Sequence, residues 1–430
     1  MTPFLDFLGE NLVLLVVHAF SFLAFAVPVV LFFILWDLLI ATRRAQFLAK
    51  QKYTLLQIDV PRDLPKSPLA MEIVLNAFYQ TVGESTWYDR IVLGKVRAHS
   101  SLEIVSTEGN VRFVIWINAR IRKFVETQIY SQYPKAEIKE VPDYTTLVPY
   151  AKEGSDWDVF AFEFKLAQPD PYPIKTYVDY NLDKDPKEEF KIDPMTPLLE
   201  FMGDLGRGEQ AWFQIIIRAN KGKRDPTTFW RKRDWQQEGK DLVEKIMNDS
   251  KKRSGAPSIE DEADHRFMNL TEGERNVIKA IYRSISKLGF DCGMRAFYLA
   301  KKEVFNPANI AGLVGTVKQY ASNDLNGFKL RDFTDYDYPW QNYINFPFPD
   351  YPAGVPDFSP KGKRLLYKKW ILFDAYRKRS WFHPPYEREP FVLNSEELAT
   401  IYHFPGEVAA TPTFKRVESR KAEPPPDLPL

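Results

Sequence analysis

Residues 101–117 read "SLEIVSTEGNVRFVIWI", two runs of alternating apolar side chains around Glu108-Gly109-Asn110. Val111, Phe113, Ile115 and Ile117 fall on one face at the period of a strand, and the Gly-Asn pair supplies turn chemistry, so the stretch predicts a hairpin. Upstream, "YTLLQIDV" (53–60) predicts a strand and "SPLAMEIVLNAFYQT" (67–81) a helix, opened by Ser67 as cap and Pro68 in its first turn. Its apolar face is Ala70, Ile73, Val74, Ala77 and Phe78. Downstream, a helix over 120–132 shows Ile121, Phe124, Val125 and Ile129 on one side and stops at Pro134, and "AEIKEV" closes the series as a strand. The order over 50–145 is βαββαβ, the ferredoxin-like plan of two helices on a four-stranded antiparallel sheet.

The same order returns over 156–335. "VFAFEFKL" (159–166) is a strand, "DPMTPLLEFMGDL" a helix capped by Asp193 with Pro194 behind it, and "AWFQIIIRA" a buried strand. After an insert at 220–288 come the strand "FDCGMRAFYLA", the helix "NPANIAGLVGTVKQY" capped by Asn306 and Pro307, and a closing strand "NGFKL". Within the insert, Thr271 and Glu274 form a capping box for a helix ended at Gly289, with Ile278, Ile281, Tyr282 and Ile285 inward. The expected fold class is α+β: an N-terminal transmembrane helix, two ferredoxin-like units, the second with a helical insert, and an extended C-terminal arm over 336–430.

The anchor rests on residues 12–36, "LVLLVVHAFSFLAFAVPVVLFFILW", 25 residues without a formal charge where about 20 suffice to cross a bilayer. A cleaved signal peptide is the rival, since Ala24-Phe25-Ala26 mimics a cleavage site. Against it, Asp6 and Glu10 precede the run without any basic residue, and the apolar run continues past Ala26. The span is placed at 11–41 after a short outside tail, 1–10. Arg43, Arg44, Lys50 and Lys52 follow it, so the positive-inside rule puts the N-terminus outside and the body in the cytoplasm, on the inner (cytoplasmic) membrane.

The 430 residues carry a net charge of +1, which points to no particular partner, and one cysteine, Cys292, which excludes an internal disulfide framework. Chemistry-bearing motifs are missing: "GLVGTVK" (312–318) lacks phosphate-loop spacing, no CxxC, HExxH or GxSxG occurs, and the five histidines are far apart in sequence. The reading is therefore non-enzymatic, without cofactor or metal.

Two stretches stand out by charge. Residues 218–253 hold twelve Lys or Arg against six acids, with aromatics interleaved. Lys223, Arg224, Trp230, Arg231, Lys232, Arg233 and Trp235 are the candidate contacts to nucleic acid or anionic lipid, beside the plainer reading of a solvated helical insert. Residues 361–380, with eight bases and one acid, read as a membrane or partner contact or as a docked amphipathic element.

"LNSEELATIYHFPG" (393–406) reads as a short helix capped by Asn394 or Ser395, with Glu396 and Glu397 at its positive end and Leu398, Ile401 and Tyr402 burying. Together with "TPTFKRVESRKAEPPPDLP", "SPLAMEIVLNAFYQ", "FVETQIYSQYPKAEIKEVPDYT", "YPIKTYVDYNLD" and "IDPMTPLLEFMGDLGRGEQAWFQIIIRA", it resembles the membrane-anchored, non-ATPase region that precedes the motor domain in HerA/TraG-like type IV secretion or conjugation ATPases. In bacteria of reduced genome that region is often a separate protein. The resemblance spans roughly 53–429 and implies a scaffold subunit that works with a P-loop ATPase supplied in trans, and a homo-oligomer. Leu398, Ile401, Tyr402, His403, Phe404 and Pro405 are then the candidate partner-docking residues, although for His403 a structural role is the plainer reading. Two other classes stay open: a membrane-tethered nucleic-acid-binding module using 218–253, and an enzyme whose site assembles only in space around His403 or His383.

Overall fold

In the computed structural model, strands β2 (His99–Thr107) and β3 (Asn110–Asn118) pair antiparallel, from Ser101↔Trp116 to Thr107↔Asn110. Glu108 and Gly109 turn the chain with φ of 52° and 81°, the left-handed conformation that a two-residue hairpin needs at both central positions. Glu108 tolerates it because its N–H donates to the Glu209 carbonyl (3.0 Å) and its carboxylate accepts from the Gly208 N–H (2.9 Å).

The structure describes residues 2–61, 66–84, 86–150, 154–183, 192–224, 232–254, 270–335, 364–383 and 386–405. They fall into two units. The first is Met1–Gln51 with Gly83–Val96. It holds helix α1 (Thr2–Ala49) and the short helix α3 (Trp87–Ile91). Within α1, Ala24–Ala49 is long and apolar enough to cross a membrane; its most apolar 18-residue window has mean hydropathy 2.5, and none of that window is buried. The helix begins at Thr2, so the separate tail expected at 1–10 is its first turns, and Pro28 sits inside it.

The second unit is the sheet-bearing body. Its first half adds β1 (Tyr53–Asp59), α2 (Pro68–Leu75), α4 (Arg122–Gln132) and β4 (Glu137–Glu140) to the hairpin. Its second half runs β5 (Trp157–Leu166), α5 (Thr196–Gly203), β6 (Glu209–Ala219), β9 (Gly289–Lys301), α8 (Pro307–Gly315) and β10 (Phe328–Phe333). The insert between β6 and β9 holds the ribbon β7 (Lys223–Arg224) and β8 (Lys232–Arg233), then α6 (Trp235–Ser254) and α7 (Glu272–Ile285).

The two ferredoxin-like units expected from the sequence do not stand as two sheets. All these long strands form one nine-stranded sheet, ordered β4-β1-β3-β2-β6-β9-β5-β10, with the ninth strand, β13 (Phe391–Asn394), on β9. The order within each half repeats, and the halves meet where β2 pairs β6 over nine residues, His99↔Arg218 to Thr107↔Gln210. β9 is long enough to hold two partners end to end on one edge: β5 along Met294–Lys301 and β13 along Gly289–Cys292. The C-terminal part is likewise no extended arm where it is described. Residues Arg364–Arg377 are helix α9, and Ser395–Ile401 are helix α10, the short helix that 393–406 predict. Residues 336–363 and 406–430 of that segment lie outside the described residues.

One face of the sheet, including Leu56, Ile104, Phe113, Ile115, Phe213 and Ile215, shares a core with α2, α4, α5, α8 and α10. The other, including Val105, Val114, Trp212, Phe297 and Leu299, is covered by Ile371, Leu372, Phe373 and Tyr376 of α9, so the dense basic stretch is a docked amphipathic helix. The insert helices have a smaller cluster of their own, Trp235, Val243, Ile278, Ile281 and Ile285. Helix starts follow the sequence signals where a capping side chain is present. Ser67, Thr271 and Asn306 accept from the N–H of Leu69, Glu274 and Ala308. Asp193 differs: it caps the Met195 N–H (2.8 Å) one turn ahead of α5. The apolar faces are narrower than their spacing implies, because Ile73, Phe124 and Tyr282 are exposed while Met71, Leu75 and Val125 are buried.

Gly293 in β9 lies under the Trp381 indole, and a Cβ there would sit 2.1 Å from a ring carbon. Gly293→Ala should therefore cost about 1–3 kcal/mol through forced repacking of a filled interior. Gly315→Ala, where a Cβ meets nothing within 4 Å, should leave the urea midpoint of the detergent-solubilised full chain unchanged or slightly raised.

Candidate functional site

Five neighbouring strands place a polar residue at one level of the face beneath α9. The register runs Glu103↔Gln214↔Arg295↔Glu163↔Asp332 across β2, β6, β9, β5 and β10. Glu103, Gln214, Arg295 and Glu163 are all within 1% of complete burial. Isolated charges in such a place would be prohibitive: Glu103 and Glu163 are ion-paired, and Arg295 is held by hydrogen bonds to Gln214 and the Ala375 carbonyl.

The loop after α9 delivers the main partner. Arg379, with φ of 50°, places Nε 3.0 Å and Nη2 3.1 Å from the two Glu103 oxygens and also bonds Asp143. Ser101 Oγ (2.7 Å), Tyr144 Oη (2.8 Å) and Gln214 Nε2 (2.8 Å) donate to the same carboxylate. Gln214 in turn accepts from Arg295 Nε (2.7 Å), and Arg295 Nη2 donates to the Ala375 carbonyl of α9 (2.8 Å). At the other end, Glu163 accepts from Tyr386 Oη and pairs with Arg388 (3.1 Å), which with Lys368 holds Asp332 at 2.6 and 2.8 Å. Burial lowers a guanidinium's hold on its proton, but the Glu103 charge more than offsets this, and Arg379 is raised well above its ordinary value. Burial pushes the Glu163 carboxyl up against the pull of Arg388.

On the opposite face α10 is held by a second set of charges. Lys287 bridges Glu72 of α2 and Glu396 of α10, at 2.8 Å each, and Arg283 of α7 reaches Glu396 (3.2 Å) and Asp179 (3.1 Å). Asn394 and Glu397 form the capping box, and the Glu397 carboxylate also accepts from the Ile174 N–H (2.9 Å). Burial pushes Glu397 from its ordinary 4.5 to about 8.

The sequence candidates separate accordingly. Leu398, Ile401, Tyr402, His403 and Phe404 are at most 2% exposed, and Pro405 is buried with them. Tyr402 and Phe404 stack edge-on against Phe113 of the hairpin. These six are core residues of this chain instead of a surface patch, because the apolar face of α10 closes the helix-side core. His403 does meet a carboxylate, with Nε2 3.2 Å from Asp193, and both side chains are buried. Despite burial, the charge and hydrogen bond of His403 keep Asp193 below its ordinary value. His383 is buried in the short strand β11 (Phe382–His383), paired with β12 (Tyr386–Glu387).

Of the basic candidates, Lys223 pairs Arg233 and Arg224 pairs Lys232 across the β7–β8 ribbon. The sequence alone did not bring these four together. Trp235 is buried at the start of α6 against the Gly289 backbone, so it is a packing residue. Trp230 and Arg231 lie outside the described residues. Among the described residues no group of three or more His, Cys, Asp or Glu has a metal-holding arrangement.

The family model for a domain of unknown function, DUF8128, matches residues 74–334. The chain belongs to this family. No curated protein matches it. The DUF8128 match ends inside the architecture. Strand β1 precedes it, while α9, Arg379, β13 and α10 follow it, yet all are built into the same sheet or its covering layers.

Two outcomes follow from the buried charges. Arg379→Met strands Glu103 in the interior and should cost about 3–5 kcal/mol. Adding Glu103→Gln should recover part of it, read as the urea midpoints of single and double variants. For Glu397 the folded-state value lies above the ordinary one, so the native state holds a proton that the unfolded chain releases. Its contribution is whole below about pH 4.5 and is lost as pH rises toward about 8. Stability measured across that window should therefore fall less steeply in Glu397→Gln than in the native chain.

Proposed function

We propose that this protein is a membrane-anchored scaffold subunit of a translocation machine of the type IV secretion or conjugation kind, partnered by a P-loop ATPase supplied in trans. The observation that carries the scaffold reading is the use of its buried acids. Glu103, Glu163, Glu396 and Asp193 are each paired within the chain to Arg379, Arg388, Lys287 or His403, which makes a rigid platform. The motor partner and the translocation role rest on the resemblance over 53–429. In this reading each half of the sheet is a ferredoxin-like repeat, α1 is an uncleaved anchor in the inner (cytoplasmic) membrane, and Arg43, Arg44, Lys50 and Lys52 hold the body on the cytoplasmic side. Since residues 398–405 are interior, the partner contact is assigned to residues 406–430.

A second reading is favoured by the β7–β8 ribbon, in which basic residues stand opposite basic residues. Like charges directly opposite each other across a strand pair are destabilising, and a bound anion would offset the repulsion. Nucleic acid, with one phosphate charge per about 1.7 Å of duplex, is a polyanion that would do so.

The test is a pull-down from native membranes in mild detergent, comparing the full chain with one ending at Pro405. A P-loop ATPase retained by the first and lost by the second is the expected result. Recovery of nucleic acid without an ATPase, abolished by Lys232→Glu with Arg233→Glu, would instead make the ribbon the site.

A further inference from the structure

Residues 86–95 form a closed loop that leaves its apolar side chains outside. Thr86 and Asp89 make a reciprocal capping box around α3. The Leu93 N–H donates to the Tyr88 carbonyl (3.1 Å), the Lys95 N–H to the Asp89 carbonyl (2.7 Å), and Lys95 Nζ pairs with Asp89 at 2.8 Å. A segment braced this way has the means to turn its apolar groups inward. Yet Trp87 is 65% exposed, Tyr88 49%, and Val92 and Leu93 41% each.

The place where this loop meets α1 says what covers those side chains. Gly94 (φ +61°) approaches the Arg43 backbone so closely that a Cβ would lie 2.5 Å from its carbonyl carbon. Arg43 is two residues past Ala41, the end of the span as placed from the sequence, an offset of about 3 Å along the axis at 1.5 Å per residue. The headgroup layer on each side of a bilayer is about 5–7 Å deep. The loop is therefore fastened to the helix at headgroup depth, and its exposed set is Trp, Tyr, Val and Leu beside Arg90 and Lys95, the composition that interfaces favour.

We infer that residues 86–95 are an interfacial foot, whose Trp87, Tyr88, Val92 and Leu93 lie in the headgroup boundary of the same bilayer that α1 crosses. The foot rests on the anchor reading of α1. Two attachments at one depth, a crossing helix and an in-plane loop, resist the rotation that a single span permits. The foot lies within the DUF8128 match, whereas α1 precedes it.

The experiment places a spin label on the full chain at Phe33→Cys or Val92→Cys, both exposed sites, in phosphatidylethanolamine–phosphatidylglycerol vesicles. The native chain, whose free cysteine Cys292 is buried, serves as the labelling blank. Collisions with oxygen and with a water-soluble nickel chelate report depth. The expected result is a label at 33 in the hydrocarbon and a label at 92 at the headgroup level, the latter moving to the aqueous phase when Trp87 and Tyr88 become Ser. A label at 33 in the hydrocarbon with the native-loop label at 92 fully aqueous overturns the foot and leaves the anchor standing. Both labels aqueous overturns the anchor and the foot together.

Discussion

The pairing of β2 with β6 is the constraint on which the rest of the body depends. In each half the strand order leaves one long strand at the side, β2 in the first and β6 in the second, both buried nearly end to end. An exposed, long apolar edge is a template for aggregation, and joining the two edges removes both at once. The nine residue pairs of that junction also set the level of everything beyond it, since a slip of one residue would turn each side chain to the opposite face.

That register is what allows the polar row. Glu103, Gln214, Arg295, Glu163 and Asp332 come from five strands spread across 230 positions of sequence, and they share one level only while both halves stay in register. The row is costly without its partners. Arg379, Tyr144, Tyr386 and Arg388 supply them from outside the strands, which ties α9 and the β11–β12 turn to the sheet by directional bonds as well as by apolar contact. On the other face Lys287 and Arg283 do the same for α10. The C-terminal elements are thus structural parts of a body whose family match stops short of them.

Local signals were legible where a residue's immediate neighbours decide its role. The hairpin turn at Glu108-Gly109, the caps at Ser67, Thr271 and Asn306, a cap at Asn394 or Ser395 and the apolar N-terminal helix were all readable from spacing and side-chain chemistry. The polar row had a signal too. "SLEIV", "FAFEF" and "GMRAF" each carry one charge inside an apolar strand, the mark of a buried partner, but the sequence does not say which charge meets which.

What the sequence determined by itself is the kind of the main strands and helices from β1 to β10, because helix and strand periods and caps act over a few residues. What only the tertiary structure decided is which edges join and where the C-terminal helix goes. Two edge strands can pair with solvent, with another chain or with each other, and their own composition is the same in all three cases. Likewise the apolar face of α10 suits a partner protein and its own sheet equally well, and the choice fell to the sheet because Lys287, Arg283 and the Ile174 amide stand where Glu396 and Glu397 need them.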